Sequence, residues 1–198
     1  MTPGFNDNQQ TIHYPSPMPQ SWSFFRTAVK NFRSTGAIAS SSKALVKKLI
    51  EPLPADRPLR IVELGPGDGC VTRAILDRVN AESHVTAFEI NTTFIDVLHQ
   101  IEDERLSVLP VGAEQLREYF EENSVDYVVS SLPLSMIPKE VKLEILRQAQ
   151  WVLKPGGQFF QYQYALQDYS LLKDYFGRVS VSFTMANLPP AFIYSCIG

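Results

Sequence analysis

Ile61-Val62-Glu63-Leu64-Gly65-Pro66-Gly67-Asp68-Gly69-Cys70-Val71 passes from an apolar run, through three glycines at every second position, into a second apolar spacing. The run reads as a short buried strand. The glycines read as a turn whose backbone amides approach a ligand that a Cβ would push away. The residues from Cys70 to Asn80 read as a helix that opens its positive end toward the same place. Glu63, at the strand's carboxyl end, adds a fixed negative charge. This combination suits a cofactor bearing a cation and a ribose better than it suits a pyrophosphate.

Working outward, strand and helix alternate on both sides of that turn. Strands are predicted at 60–64, 85–90, 106–109, 125–130 and 158–164, and two closing strands at 179–183 and 191–196. Helices are predicted at 70–80, 93–102, 114–121, 138–153 and 168–176, with Pro155-Gly156-Gly157 stopping the fourth. Upstream, Ser40, Ser41 and Ser42 offer caps for a helix in which Leu45, Leu49 and Ile50 share a face, closed by Pro52 and Pro54. Five strand–helix units followed by two strands without a helix between them imply a doubly wound α/β fold. Its sheet is seven-stranded and mostly parallel, with an antiparallel hairpin at one edge. In such sheets the ligand sits outside the carboxyl ends of the strands, beside the first one.

The chain of 198 residues is long enough for one domain with a core. The expected division is a polar, Pro-rich arm over 1–20, amino-terminal helices over 21–52, and the α/β domain over 53–198. Two cysteines, Cys70 and Cys196, and three scattered histidines give no metal spacing and no disulfide framework. No run of 18 apolar residues exists to span a membrane, and no secretory signal is expected ahead of the domain. The net charge of −3 is unevenly spread: six basic and no acidic residues lie between Asn8 and Ile50, against 12 basic and 20 acidic from residue 51 onward. A basic amino-terminal segment on an acidic body points to an anionic partner.

Gly65-x-Gly67-x-Gly69 differs from the G-x-G-x-x-G of a dinucleotide fingerprint, and Glu89 closes the second strand 20 residues after Gly69. An acid there accepts hydrogen bonds from ribose hydroxyls. These features resemble the class I S-adenosylmethionine-dependent methyltransferases, a Rossmann-like family, over residues 60–198. The resemblance implies that Glu63, Gly65, Gly67 and Gly69 hold the amino-acid end of S-adenosyl-L-methionine and that Glu89, with Ile90, holds its ribose. Ala113, Glu114 and Ser130 complete the implied cofactor set. Many relatives carry Gly-Asp-Ala after the third strand to hold the adenine; here the stretch is Val111-Gly112-Ala113-Glu114, so either Glu114 or a backbone amide takes that work.

The fourth strand's end reads Ser130-Ser131-Leu132-Pro133-Leu134-Ser135. Adenine- and amide-directed relatives place an Asn or Asp and a stacking aromatic there; Ser131 and Leu134 hold those positions here, so a platform for a planar base is missing. Phe25, Phe32 and the run from Gly36 to Ser42 resemble the amino-terminal signature of bacterial phospholipid N-methyltransferases. So do Leu153-Lys154-Pro155-Gly156-Gly157, Phe160-Gln161-Tyr162-Gln163-Tyr164 and Asn187-Leu188-Pro189-Pro190-Ala191. One departure is Ser40, where that family more often has proline. The implied activity is N-methylation of phosphatidylethanolamine and its partly methylated derivatives toward phosphatidylcholine, by an enzyme on the inner face of the cell membrane. The rRNA adenine dimethylases, similar in fold, are the rival, and a degenerate cofactor-binding protein is the non-enzymatic alternative.

A helix from Ser21 to Arg33 fits a membrane role independently. Trp22, Phe25, Val29 and Phe32 are spaced to share a face, with Arg26, Lys30 and Arg33 along its edge. Rings in the acyl boundary and cations against anionic headgroups are what an interfacial helix needs; the same ring spacing also serves packing on a sheet edge. Ile38, Ser41, Leu132 and Leu134 join this helix as the expected membrane- or substrate-binding set. Tyr164 and Ser131 are the side chains expected near the reacting nitrogen. The expected partners are an anionic membrane surface and an amine-bearing phospholipid rather than nucleic acid, and no metal is expected.

Overall fold

The computed structural model describes residues 42–198. The arm over 1–20 and the helix expected from Ser21 to Arg33 lie outside them. Helix α1 (Lys43–Ile50) leads into β1 (Arg60–Leu64), α2 (Cys70–Arg78), β2 (His84–Phe88), α3 (Thr92–Leu98) and β3 (Leu106–Leu109). A 3-10 turn (Ala113–Gln115) runs into the one-turn α4 (Leu116–Tyr119), then β4 (Val125–Ser130), α5 (Lys139–Val152) and β5 (Leu153–Gln163). Helix α6 (Tyr169–Tyr175) and the strands β6 (Arg178–Thr184) and β7 (Ala191–Ile197) end the chain. The seven-stranded sheet has the order β3-β2-β1-β4-β5-β7-β6, with β7 antiparallel to both neighbours and the rest parallel. This is the Rossmann-like α/β sheet that the alternation predicted.

Several boundaries differ from the sequence expectation; the helices expected over 70–80 and 93–102 end at Arg78 and Leu98, and the differences that bear on the site are these. Glu89 lies one residue beyond β2, which ends at Phe88. The helix expected over 114–121 is a 3-10 turn followed by a single α-turn. Strand β5 begins at Leu153 rather than Gln158: Leu153 already pairs with Val125, and Gly156 at φ 78° lets the chain bend through Pro155-Gly156-Gly157 without leaving the sheet.

The centre of the sheet is covered on both faces, so β1, β2 and β4 are buried almost end to end. Ile61, Val85, Val129 and Phe160 pack against α1 and α2; Val62, Val128 and Phe159 pack against α5 and α6. Phe159 and Phe160 are both fully buried, on opposite faces, and each burial stabilises the fold by about 2–3 kcal/mol. Helix α1 belongs to this core, since Leu45 and Leu49 are fully buried. Ser42 caps it by accepting the Leu45 N–H at 3.1 Å, a contribution of about 1 kcal/mol.

At the amino ends of the strands, the buried Asp126 carboxylate accepts the Arg60 N–H at 2.9 Å and pairs with Lys154 at 2.9 Å and Arg57 at 3.2 Å. One acid thus ties the starts of β1, β4 and β5. The carboxyl ends are left for chemistry.

Candidate functional site

Glu63 is fully buried near the end of β1, and neither carboxylate oxygen has a hydrogen-bond partner. Burial pushes its carboxyl up to about 8; the neighbouring Thr72 hydroxyl offsets part of this without meeting it in hydrogen-bonding geometry, and Glu89 and Asp68 add like charge. The chain then turns through Gly65, Gly67 and Gly69 at φ 68°, 59° and 76°, all left-handed. Gly65 also lies close under Leu132, whose Cδ2 would stand 2.6 Å from a Cβ at that position. The loop after β4 therefore packs directly on the glycine turn.

Glu89 knits that turn to β2. Its Oε2 accepts the Gly67 N–H at 3.1 Å, and its Oε1 accepts the amides of Ile90 and Asn91, each at 2.9 Å. A carboxylate offers about four acceptor directions, so one remains for a ribose hydroxyl. Ile90 packs against the core beside it. After β3, Ala113 is buried and opens the 3-10 turn. The Glu114 carboxyl folds back over Gly112 and fills the space that a side chain at 112 would enter. Burial raises that carboxyl to about 7, its own backbone amide offsets part of this, Glu118 and Glu144 add to it, and Oε2 is unpartnered. Glu114, one of the two candidates named for the adenine, thus places its carboxyl in the turn after β3.

At the end of β4, Ser130 is fully buried, and its Oγ accepts the Leu132 N–H at 3.4 Å. Ser131 donates its amide to Leu64 O at 2.9 Å, while its buried hydroxyl has no partner. Leu134 is fully buried and anchors this loop in the core. Two residues that sequence reasoning did not single out join them. Gln161 and Gln163, on β5, donate through Nε2 to Leu132 O at 2.9 Å and Asp168 Oδ2 at 3.0 Å, which leaves both amide oxygens buried and unpartnered. The signal was the alternation Gln161-Tyr162-Gln163: polar residues at a core period in a strand that is buried on both faces. Tyr164 is 37% exposed and meets Tyr162 edge-on at 6.2 Å. Trp22, Phe25, Arg26, Val29, Lys30, Phe32, Arg33, Ile38 and Ser41 lie outside the described residues.

Among the described residues, the buried side-chain atoms without partners belong to Glu63, Thr72, Glu114, Ser131, Gln161 and Gln163. All of them come from the carboxyl ends of β1 and β5, the turns that leave β3 and β4, or the first turn of α2. Leaving a buried polar group unmade costs about 1–3 kcal/mol, so the fold carries this cost along one edge. A ligand with several donors and a positive charge removes it. A cationic nucleoside fits; a pyrophosphate, brought against Glu63, does not.

The profile of a family described as a methyltransferase domain matches residues 61–157. The ornithine lipid N-methyltransferase of Singulisphaera acidiphila is 32% identical over 184 residues, 88% of this chain and 96% of that protein. The ribosomal RNA small subunit methyltransferase A of Borreliella burgdorferi is 28% identical over 101 residues, 50% of this chain and 35% of that one. Among solved structures, the 1,6-didemethyltoxoflavin-N1-methyltransferase of Burkholderia thailandensis, with bound S-adenosylhomocysteine, shares the fold. Its TM-score is 0.66 at 16% identity, covering 94% of this chain and 92% of that one.

Proposed function

This chain belongs to the S-adenosylmethionine-dependent methyltransferases, and from that premise we propose that it N-methylates the amine headgroup of a membrane lipid. Two acceptors are in view: phosphatidylethanolamine with its mono- and dimethyl derivatives, on the way to phosphatidylcholine, and ornithine lipid, the acceptor in the relative's name. Both present an amine close to an anionic group. The observation that carries the acceptor class is the loop after β4, where Leu132 packs on the glycine turn and Ser131 and Leu134 stand at the positions where base-directed relatives carry an amide or acid and a stacking ring. The extent of the S. acidiphila alignment supports the same reading, whereas the ribosomal RNA relative aligns over half the chain. The enzyme would work from the inner surface of the membrane. No helix among the described residues is long and apolar enough to cross one.

S-adenosyl-L-methionine is the cofactor, and when bound it supplies an electrophilic methyl group on a positively charged sulfur. The protein's task is to bind, to align and to keep the incoming amine neutral. Glu63 and the left-handed glycines take the cationic amino-acid end, Glu89 the ribose, and Glu114 the adenine. An amine attacks only once it has lost its proton, and removing the headgroup from water favours that form. The free oxygens of Ser131, Gln161 and Gln163 can accept the remaining N–H bonds and fix the lone pair's direction. Tyr164, at the end of β5, stands on the approach. None of these is a strong base, so the proton leaves to solvent before transfer.

The test incubates the protein and radiolabelled cofactor with phosphatidylethanolamine, its mono- and dimethyl forms, ornithine lipid and ribosomal RNA in parallel. Label in one of the lipids supports the reading and names the acceptor. Label in the RNA alone overturns it.

A further inference from the structure

We propose that the turn joining β6 to β7 is a membrane-inserting tip that seats the mouth of the active site on an anionic lipid surface. The proposal deepens the lipid-methylating reading and rests on it. Because β7 is antiparallel to both β5 and β6, β6 points the same way as the parallel strands. Leu64, Ser130, Gln161, Tyr194 and Val181 form one row across the sheet. Thr184 lies three residues beyond that row, about 10 Å farther out at 3.3 Å per residue. The hairpin therefore overhangs the edge where the unpartnered polar atoms collect.

Its apolar side chains grow more exposed in that direction. Val181 is 37% exposed, Phe183 47%, Met185 78% and Leu188 85%. Floppiness does not explain this, because the turn is tied down. Asn187 is buried; its Oδ1 accepts the Ser42 N–H at 2.9 Å and its Nδ2 donates to Pro189 O at 2.8 Å, while Ser42 Oγ donates to Ala186 O at 2.7 Å. A scaffold that holds Met185 and Leu188 out in water maintains an unfavourable surface, and such surfaces mark contacts. The surrounding charge selects the partner. Lys48 reaches Phe183 O at 2.6 Å, and Lys43 and Lys47 are exposed on the same helix. No Asp or Glu occurs in α1 or between Tyr175 and Gly198, in a chain with 21 acids. Two exposed apolar side chains on an acid-free stretch, with Lys48 bound to the strand that leads to them, match an anionic bilayer, with the tip in the acyl boundary and the cation among headgroups.

The test uses the full chain and vesicles of phosphatidylglycerol and phosphatidylcholine, which contain no amine able to accept a methyl group. The double variant Met185→Asp, Leu188→Asp should lose at least about tenfold in vesicle partition, since burying one such side chain already corresponds to a tenfold change. Its cofactor affinity and thermal midpoint should be unchanged. Independently, Leu188→Cys in a Cys70→Ser background, labelled with a polarity-sensitive fluorophore, should shift blue only when vesicles are added. Unchanged partition overturns the proposal. So does a probe already in an apolar environment without vesicles, which would mean that another copy or the chain's own amino-terminal residues cover the tip. Loss of ribosomal RNA binding in place of vesicle binding also overturns it. Vesicle binding through the tip without methyl transfer to any lipid defeats the acceptor assignment and leaves the docking surface. Lipid methylation with residue 188 still in water does the reverse.

Discussion

A carboxylic acid with no partner in a dry pocket is a weaker acid than one in water, and Glu63 is held in that state at about 8. At neutral pH the cofactor-free protein therefore keeps a proton on Glu63, whereas a bound cation favours the carboxylate. Cofactor binding should release close to one proton at pH 7, and affinity should climb with pH until about 8. Calorimetry in buffers of different ionisation enthalpy reads the proton directly. Glu63→Gln should abolish the release and weaken binding about 10–100-fold, the worth of a hydrogen bond to a charged group; an unchanged proton count would remove Glu63 from the cofactor. At this scale the sequence was informative where a residue type is rare in its setting, as with an acid closing an apolar strand or three alternating glycines. It was silent on Gly112 and Glu114 as a pair, because only the folded turn shows that the second side chain fills the space above the first. Gln161 and Gln163 escaped for a related reason: an amide is ordinary in a strand, and its unpartnered oxygen is visible only after burial.

Periodicity recovered the elements well where both flanks are packed. β1, β3 and β4 occupy the residues that their apolar runs predict, and α1 starts after one of the three serines offered as caps. It failed where tertiary pairing overrides a local signal. Pro155-Gly156-Gly157 looks like a helix stop followed by a loop, yet Leu153 pairs with Val125 before the glycines are reached. The anchor for that early pairing is Asp126, which holds the β5 residue Lys154 and the β1 residue Arg60 together. Asp126→Ala should lower unfolding stability by about 2 kcal/mol, chiefly by stranding the Arg60 amide, and leave the denaturant slope and cofactor affinity unchanged. A denaturation midpoint equal to that of the parent chain would show that the three partners are replaceable by water.

The two ends of the sheet differ in kind, and their titrations should oppose each other across the whole molecule. At the amino ends, burial of Asp126 is outweighed by the Arg60 amide, Lys154 and Arg57, so its carboxyl sits below the ordinary 3.8. That contribution to stability is present above the ordinary value and is lost as pH falls through the lowered one. At the carboxyl ends, Glu63 and Glu114 are raised from 4.5 to about 8 and about 7. Folded protein holds these protons after the unfolded chain has shed them, so stability declines from about pH 4.5 until pH 8 and then levels. The cofactor-free enzyme should accordingly be most heat-stable near pH 5 and lose several degrees of thermal midpoint by pH 8.5. Adding S-adenosylmethionine should flatten the alkaline limb, because a cation beside Glu63 stabilises the form that high pH imposes. Thermal unfolding followed by circular dichroism from pH 4 to pH 9, with and without cofactor, checks both limbs. A midpoint that rises steadily from pH 5 to pH 8 would mean that water or a neighbouring cation already satisfies Glu63, and that the edge read here as poised for a cation is satisfied before one arrives.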